Sequence, residues 1–276
     1  MTASVLYEKQ DKVAVLTLNR PEVNNAQDPE LLRRLDEAWG QANDDQDVHV
    51  ILLQANGRNF SAGHDMNPDK AWNKSFNTTR DGIVPHYLWE HGHYFEYSKR
   101  WRNLPKPSIA CVQGACVAAG LMLVWPCDLI VASENAWFGD PTIVMGIAGV
   151  EYHGHTWELG PRKAKQLLFT ADRITAREAH QLGMVNEVVA DAELRQYAVS
   201  LANRIAEKNL FALMMGKRAV NQAVDSMGQP AALQAGFDLH EMQHTQCLAI
   251  SQGKFPVLTS DVNDLKRANR RETTAG

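Results

Sequence analysis

Two short stretches of this 276-residue chain have the composition of a ligand site built from backbone. Phe60–Met66 reads "FSAGHDM" and Gln113–Gly120 reads "QGACVAAG". Each follows an apolar, β-branched run, and each is rich in small residues. Such turns let main-chain N–H groups approach a ligand directly. Two of them side by side can aim two donors at one oxygen, which stabilises an oxyanion forming on an acyl group. Either turn alone reads equally well as a tight turn; the pair is more specific. The second turn carries no acid or base, so any proton transfer must come from elsewhere. Titratable side chains stand further on in "FGDPT", with Asp140, and in "GIAGVEYHGH", with Glu151, His153 and His155. "HEMQH" (His240–His244) matches H-E-x-x-H, which on a helix puts two imidazoles on one face beside Glu241. No third ligand stands at a recognisable spacing, so no metal is expected there. His86, His91 and His93 read as a packed aromatic helix surface, again not a metal site.

The elements that must position these residues are legible around them. "SVLYEKQ" and "KVAVLTLN" form a candidate hairpin, and "VHVILLQAN", "PSIACVQG" and "DLIVAS" are candidate buried strands. Asp28 followed by Pro29 predicts a capped helix whose apolar face holds Leu31, Leu32, Leu35, Ala38 and Trp39. "HYLWEHGHYFEYSKRWRNL" predicts another helix, after a polar loop over 67–81. Strands alternating with helices give an α/β class. From Pro161 helices dominate. Thr175 and Gly183 bracket one, a strand follows at Val185–Val189, and three helices are expected over 192–208, 210–225 and 231–251.

Composition narrows the partners. The chain is 45% hydrophobic and 22% charged, with a net charge of -4, which gives no reason to expect nucleic acid or an anionic membrane. No apolar run approaches the roughly 20 residues of a membrane span. The N-terminus lacks the basic-then-apolar pattern of a signal peptide. Cys111, Cys116, Cys127 and Cys247 form no close pair, so reduced thiols in a cytoplasmic protein are expected.

"LNRPEVNNA", "NGRNFSAGHDM", "PKPSIACVQGACVAAGLMLVWPCDLIVASENAWFG" and "LLFTADRITAREAHQLGMVNEVV" occur in the order and spacing of the crotonase superfamily, the enoyl-CoA hydratase/isomerase-like proteins. The resemblance is strong from about Val5 to Val189. It implies a spiral of strand–strand–helix turns with a C-terminal helical layer. An acyl-CoA-binding core would cover 1–190 and a helical trimerisation region 191–276, in a trimer or hexamer. The ligand implied is an acyl-CoA, with coenzyme A entering as part of the substrate and no separate cofactor. By the same resemblance, the N–H groups of His64 and Ala119, with Gly120 adjacent, would hold the thioester oxygen. Arg58, Ser61, Ala62, Met122 and Thr142 would line the substrate site, and a basic tail at Lys266, Arg267, Arg270 and Arg271 could reach phosphates. Both glutamates of the family's hydratases are replaced, by Met122 and Thr142, and neither can act as acid or base. Glu151 is the expected proton carrier and Asp140 the second, with a raised pKa expected for a carboxylate in an apolar pocket. Hydratase, isomerase and hydrolase chemistry stay open, as does a non-catalytic acyl-CoA-binding protein.

Overall fold

The computed structural model describes residues 3–67 and 82–250. Most of the 67–81 loop and the whole basic tail lie outside the described residues. The hairpin forms as expected: β1 (Val5–Gln10) pairs antiparallel with β2 (Val13–Leu18). A short 3-10 turn leads to α1 (Pro29–Asp44), where the Asp28 carboxylate accepts from the Leu31 N–H at 2.8 Å. The expected apolar face of α1 is buried, with Ala42 extending it.

Next come β3 (Val50–Ala55) and α2 (Val84–Glu90). A π-helical turn at His91–Phe95 joins α2 to α3 (Glu96–Asn103). The sequence predicts one uninterrupted helix here. The wider turn buries Tyr94 and Phe95 together, and single π turns in helices recur at functional sites. Then follow β4 (Ser108–Val112), β5 (Ala115–Val117), a 3-10 turn at Ala118–Gly120, and α4 (Leu121–Val124). All of α4 is buried, as its sequence requires, but it is a single turn, so little helix dipole reaches the site.

The strand β6 (Leu129–Ser133) precedes β7 (Trp137–Gly139) and a 3-10 turn at Pro141–Met145. The helix α5 (His155–Thr170) starts earlier than expected, taking in His155 and kinking at Gly160. The rest is β8 (Arg173–Thr175), α6 (Ala176–Gln181), β9 (Glu187–Val189), α7 (Leu194–Ala206), α8 (Leu210–Ser226) and α9 (Gln229–Ile250). The Thr175 hydroxyl caps α6 by accepting from the Glu178 N–H at 3.2 Å.

Two sheets stack these pieces. One has the order β1-β2-β3-β4-β6-β9 and is parallel beyond its first pair; the smaller has the order β5-β7-β8. The central parallel strands are buried on both faces, which is why they read as unbroken apolar runs. Leu194, Ala198, Ala202 and Ala206, spaced by four, lay α7 across one face of the larger sheet. The other face carries α1, the aromatic helices and α4.

Candidate active site

The two small-residue turns meet. Ser61 bridges to Cys116 in parallel strand fashion, Ser61 N–H donates to Ala115 O, and Val117 N–H donates to Ser61 O. The approach is close enough to require glycine twice. A Cβ on Gly120 would stand 2.9 Å from Ser61 O, and one on Gly63 would stand 3.0 Å from Val117 O and 3.2 Å from Ala119 N. Gly63 also has φ +87°, in the left-handed region that favours glycine. Gly63 therefore rests on the backbone N of Ala119, and His64 is the next residue along. The expected donor residues, His64 and Ala119, thus belong to two turns that touch at Gly63. Ala119 sits in the first turn of the 3-10 segment, where N–H groups lack a carbonyl inside the helix. Ala118 is held at φ +49°, a strained value for a residue with a Cβ.

The His64 ring does not face solvent. It stacks on Tyr94 with centroids 3.8 Å apart, and its Nε2 donates to Glu151 Oε1 at 3.1 Å. Glu151 is buried at 3% exposure. A second imidazole approaches from α9: His240 Nε2 lies 3.7 Å from the same oxygen. The expectation of a raised pKa is overturned here. Burial pushes the Glu151 carboxyl up, but the charges of His64 and His240 and the His64 hydrogen bond outweigh it and hold the group below its ordinary value. The sequence could not show this, because His240 lies far along the chain.

Asp140 is differently employed. Its Oδ1 accepts from Thr142 N–H and from Thr142 Oγ1, and its Oδ2 accepts from Val150 N–H and from His155 Nε2 at 2.8 Å. Asp140 and His155 are both fully buried. With both oxygens doubly occupied, Asp140 serves as an anchor for the Glu151 loop. Thr142 joins it, accepting from Gly149 N–H at 2.9 Å. His240 clamps the loop from outside, donating from Nδ1 to Gly149 O at 2.8 Å.

The remaining expected contacts divide. Met122, expected to line the substrate site, is buried at 2%. The Ser61 hydroxyl donates to Asn25 O and accepts from Gln27 Nε2, so its side chain ties turn to turn. Ala62 and Arg58 are exposed.

One group reached the sequence reading only in separate pieces, without Glu90. H-E-x-x-H is set aside there for want of a third ligand, and His86 is assigned to a helix surface. In the fold, His86, Glu90, His240, Glu241 and His244 are all buried, between α2 and α9. His86 and Glu241 stand 155 residues apart in sequence and 3.4 Å apart in space. The four-residue step from His86 to Glu90, on one helix face, was the signal available.

Against known proteins, the model of the family described as enoyl-CoA hydratase/isomerase matches residues 8–253. The Mycobacterium tuberculosis protein EchA13 is 43% identical over 265 residues, covering 91% of this chain and 83% of that protein. The short-chain-enoyl-CoA hydratase of Clostridium acetobutylicum is 34% identical over 226 residues, 80% of this chain and 82% of that one. The crystal structure of a probable enoyl-CoA hydratase from Mycobacterium thermoresistibile superposes with a TM-score of 0.84 at 51% identity, covering 90% of this chain and 99% of that chain. An enoyl-CoA hydratase/isomerase from Xanthobacter autotrophicus Py2 gives 0.82 at 29% identity, covering 98% and 94%.

Proposed function

The chain belongs to the enoyl-CoA hydratase/isomerase family, within the crotonase superfamily, and from that premise we propose that it moves a proton on an acyl-CoA with one carboxylate, Glu151. It is an acyl-CoA-processing protein of the enoyl-CoA hydratase/isomerase type; the residues and the reaction are our reading. The thioester oxygen sits between the N–H groups of His64 and Ala119, which stabilise the enolate. Glu151 takes a proton from the α carbon and returns it to the γ carbon, shifting the double bond from the β,γ to the α,β position. One carboxylate suffices for this 1,3-transfer, since it is free to donate once it has accepted. Water addition asks for a second group to activate the water, and Met122 and Thr142 stand where the family's hydratases hold their acids. The observation that supports the reading is the hydrogen bond from the His64 ring to the buried Glu151, which ties that carboxylate to the residue whose N–H we propose as an oxyanion donor.

A β,γ-unsaturated acyl-CoA tests it, followed as the rise of conjugated thioester absorbance, beside crotonyl-CoA followed as its loss. We expect isomerisation to outpace hydration. Faster hydration sinks the one-carboxylate reading, and tight binding with neither reaction favours a carrier.

The same reading includes a homotrimer or hexamer. Support comes from α8, which buries no residue within the chain and exposes Phe211 and Val220, as well as from exposed Met227 just beyond it. A stable monomer by sedimentation at micromolar concentration contradicts it. No described helix is long and apolar enough to cross a membrane, and a cytoplasmic location accords with four free, buried cysteines.

A further inference from the structure

We propose that His86, Glu90, Glu241 and His244 form a binding site for one divalent transition-metal ion. The proposal stands apart from the role given to Glu151. Each of the four side chains offers one ligand atom, and these atoms all lie within 4.8 Å of one another. His86 Nε2 is 3.1 Å from Glu90 Oε1, His86 Nδ1 is 3.4 Å from Glu241 Oε2, and His244 Nδ1 is 3.8 Å from Glu90 Oε2. The first two distances use different nitrogens of His86; taken one atom per residue, the four lie within 4.8 Å of one another, wider than the roughly 3.4 Å between ligands held at about 2.1 Å around a tetrahedral ion, so binding would draw them slightly inward.

The helices fix that geometry. Glu90 follows His86 by one turn on α2, and His244 follows Glu241 by three residues on α9, so each helix presents a nitrogen and an oxygen to the other. None of the four is more than 9% exposed. Buried carboxylates cost stability unless each oxygen is satisfied. Among the described residues, Glu90 Oε2 and Glu241 Oε1 find no hydrogen-bond donor. A cation between them supplies what those two oxygens lack and neutralises both charges.

The H-E-x-x-H motif nominates His240, but the fold assigns it elsewhere. Its Nδ1 donates to Gly149 O, and its Nε2 lies between Glu90 Oε2 at 3.6 Å and Glu151 Oε1 at 3.7 Å. His240 thus links the ion's carboxylate to the Glu151 loop. Two imidazoles with two carboxylates suit zinc, iron(II), cobalt(II) or manganese(II) better than calcium or magnesium.

The test is metal content and a cobalt titration on the full-length protein. We expect close to one transition-metal ion per chain after purification. After chelator treatment, Co²⁺ should restore one equivalent with visible d–d bands. Glu90→Gln and His244→Gln should each weaken Co²⁺ binding at least tenfold, while His93→Gln, on the exposed side of the π turn, should leave it unchanged. If a ligand variant fails to fold, the parent decides: its melting temperature should rise and saturate at one equivalent of Co²⁺. A protein purified without metal whose melting temperature and spectrum ignore Co²⁺ overturns the proposal, leaving a network of His–Glu pairs. Equal Co²⁺ binding by the parent and by folded Glu90→Gln and His244→Gln overturns it too.

Discussion

The two small-residue turns, proposed to hold the oxyanion, and the buried histidine–glutamate cluster both connect to Glu151 and are built on opposite principles. The turns act through main chain. Their glycines remove side chains so that Ser61, Gly63, Val117 and Ala119 can touch. The cluster acts through side chains alone, with charged groups on two helices far apart in sequence. Glu151 joins them: the His64 ring reaches it from the turns, and His240 reaches it from the cluster. A backbone device tolerates changes of side chain and serves any thioester. A side-chain device depends on the identity of each residue.

His64 belongs to both sides, and two substitutions separate its parts. His64→Pro removes the N–H and the ring together. It should lower turnover by about 10²–10³-fold, the usual cost of one oxyanion donor, in protein whose circular dichroism matches the parent. A folded proline variant with parental kinetics breaks the backbone half of the comparison.

Asp140→Asn probes the anchor below the site. It removes one charge from a fully buried pair, so unfolding in denaturant near neutrality should show a loss of about 3 kcal/mol. Burial raises the Asp140 carboxyl, but the bond and charge of His155 and the bonds from Thr142 outweigh it, so its pKa in the fold lies below the ordinary 3.8. The unfolded chain then binds the proton more readily. This contribution is complete above the ordinary aspartate value and is lost as pH falls through the folded value. The asparagine variant should therefore lose less stability on acidification than the parent does. Equal acid sensitivity in both would place the charge elsewhere.

His64→Ala is the smallest of these changes. The N–H stays, and Glu151 loses one charge-assisted hydrogen bond, so turnover should fall about tenfold with acyl-CoA affinity nearly unchanged in a binding titration. A loss as large as that of the proline variant would mean that the ring, and not the N–H, carries the effect.

What could be read from the sequence follows the same division. The turns are local: small residues after an apolar run mark them, and a one-residue error moves nothing essential. The Asp28 and Thr175 caps and the apolar face of α1 are equally local, and they stand where expected. The π turn was not legible, since His91–Phe95 has helical composition and only packing widens it. Each half of the cluster was legible as a helix-face spacing, but their meeting was not, because the halves come from α2 and α9 and nothing local says that these faces pack together. The pKa of Glu151 failed for that reason as well. Its apolar neighbours in sequence suggested a neutral acid, and its neighbours in space are two imidazoles.

The central claim is that one carboxylate carries the chemistry, and Glu151→Gln tests it most directly, since it keeps the shape and removes the base. Isomerisation of a β,γ-unsaturated acyl-CoA should fall by about 10²–10⁴-fold, while acyl-CoA affinity, set by the turns, stays within about twofold of the parent's. A folded Glu151→Gln protein that isomerises at the parental rate would contradict the account and place the base on another residue.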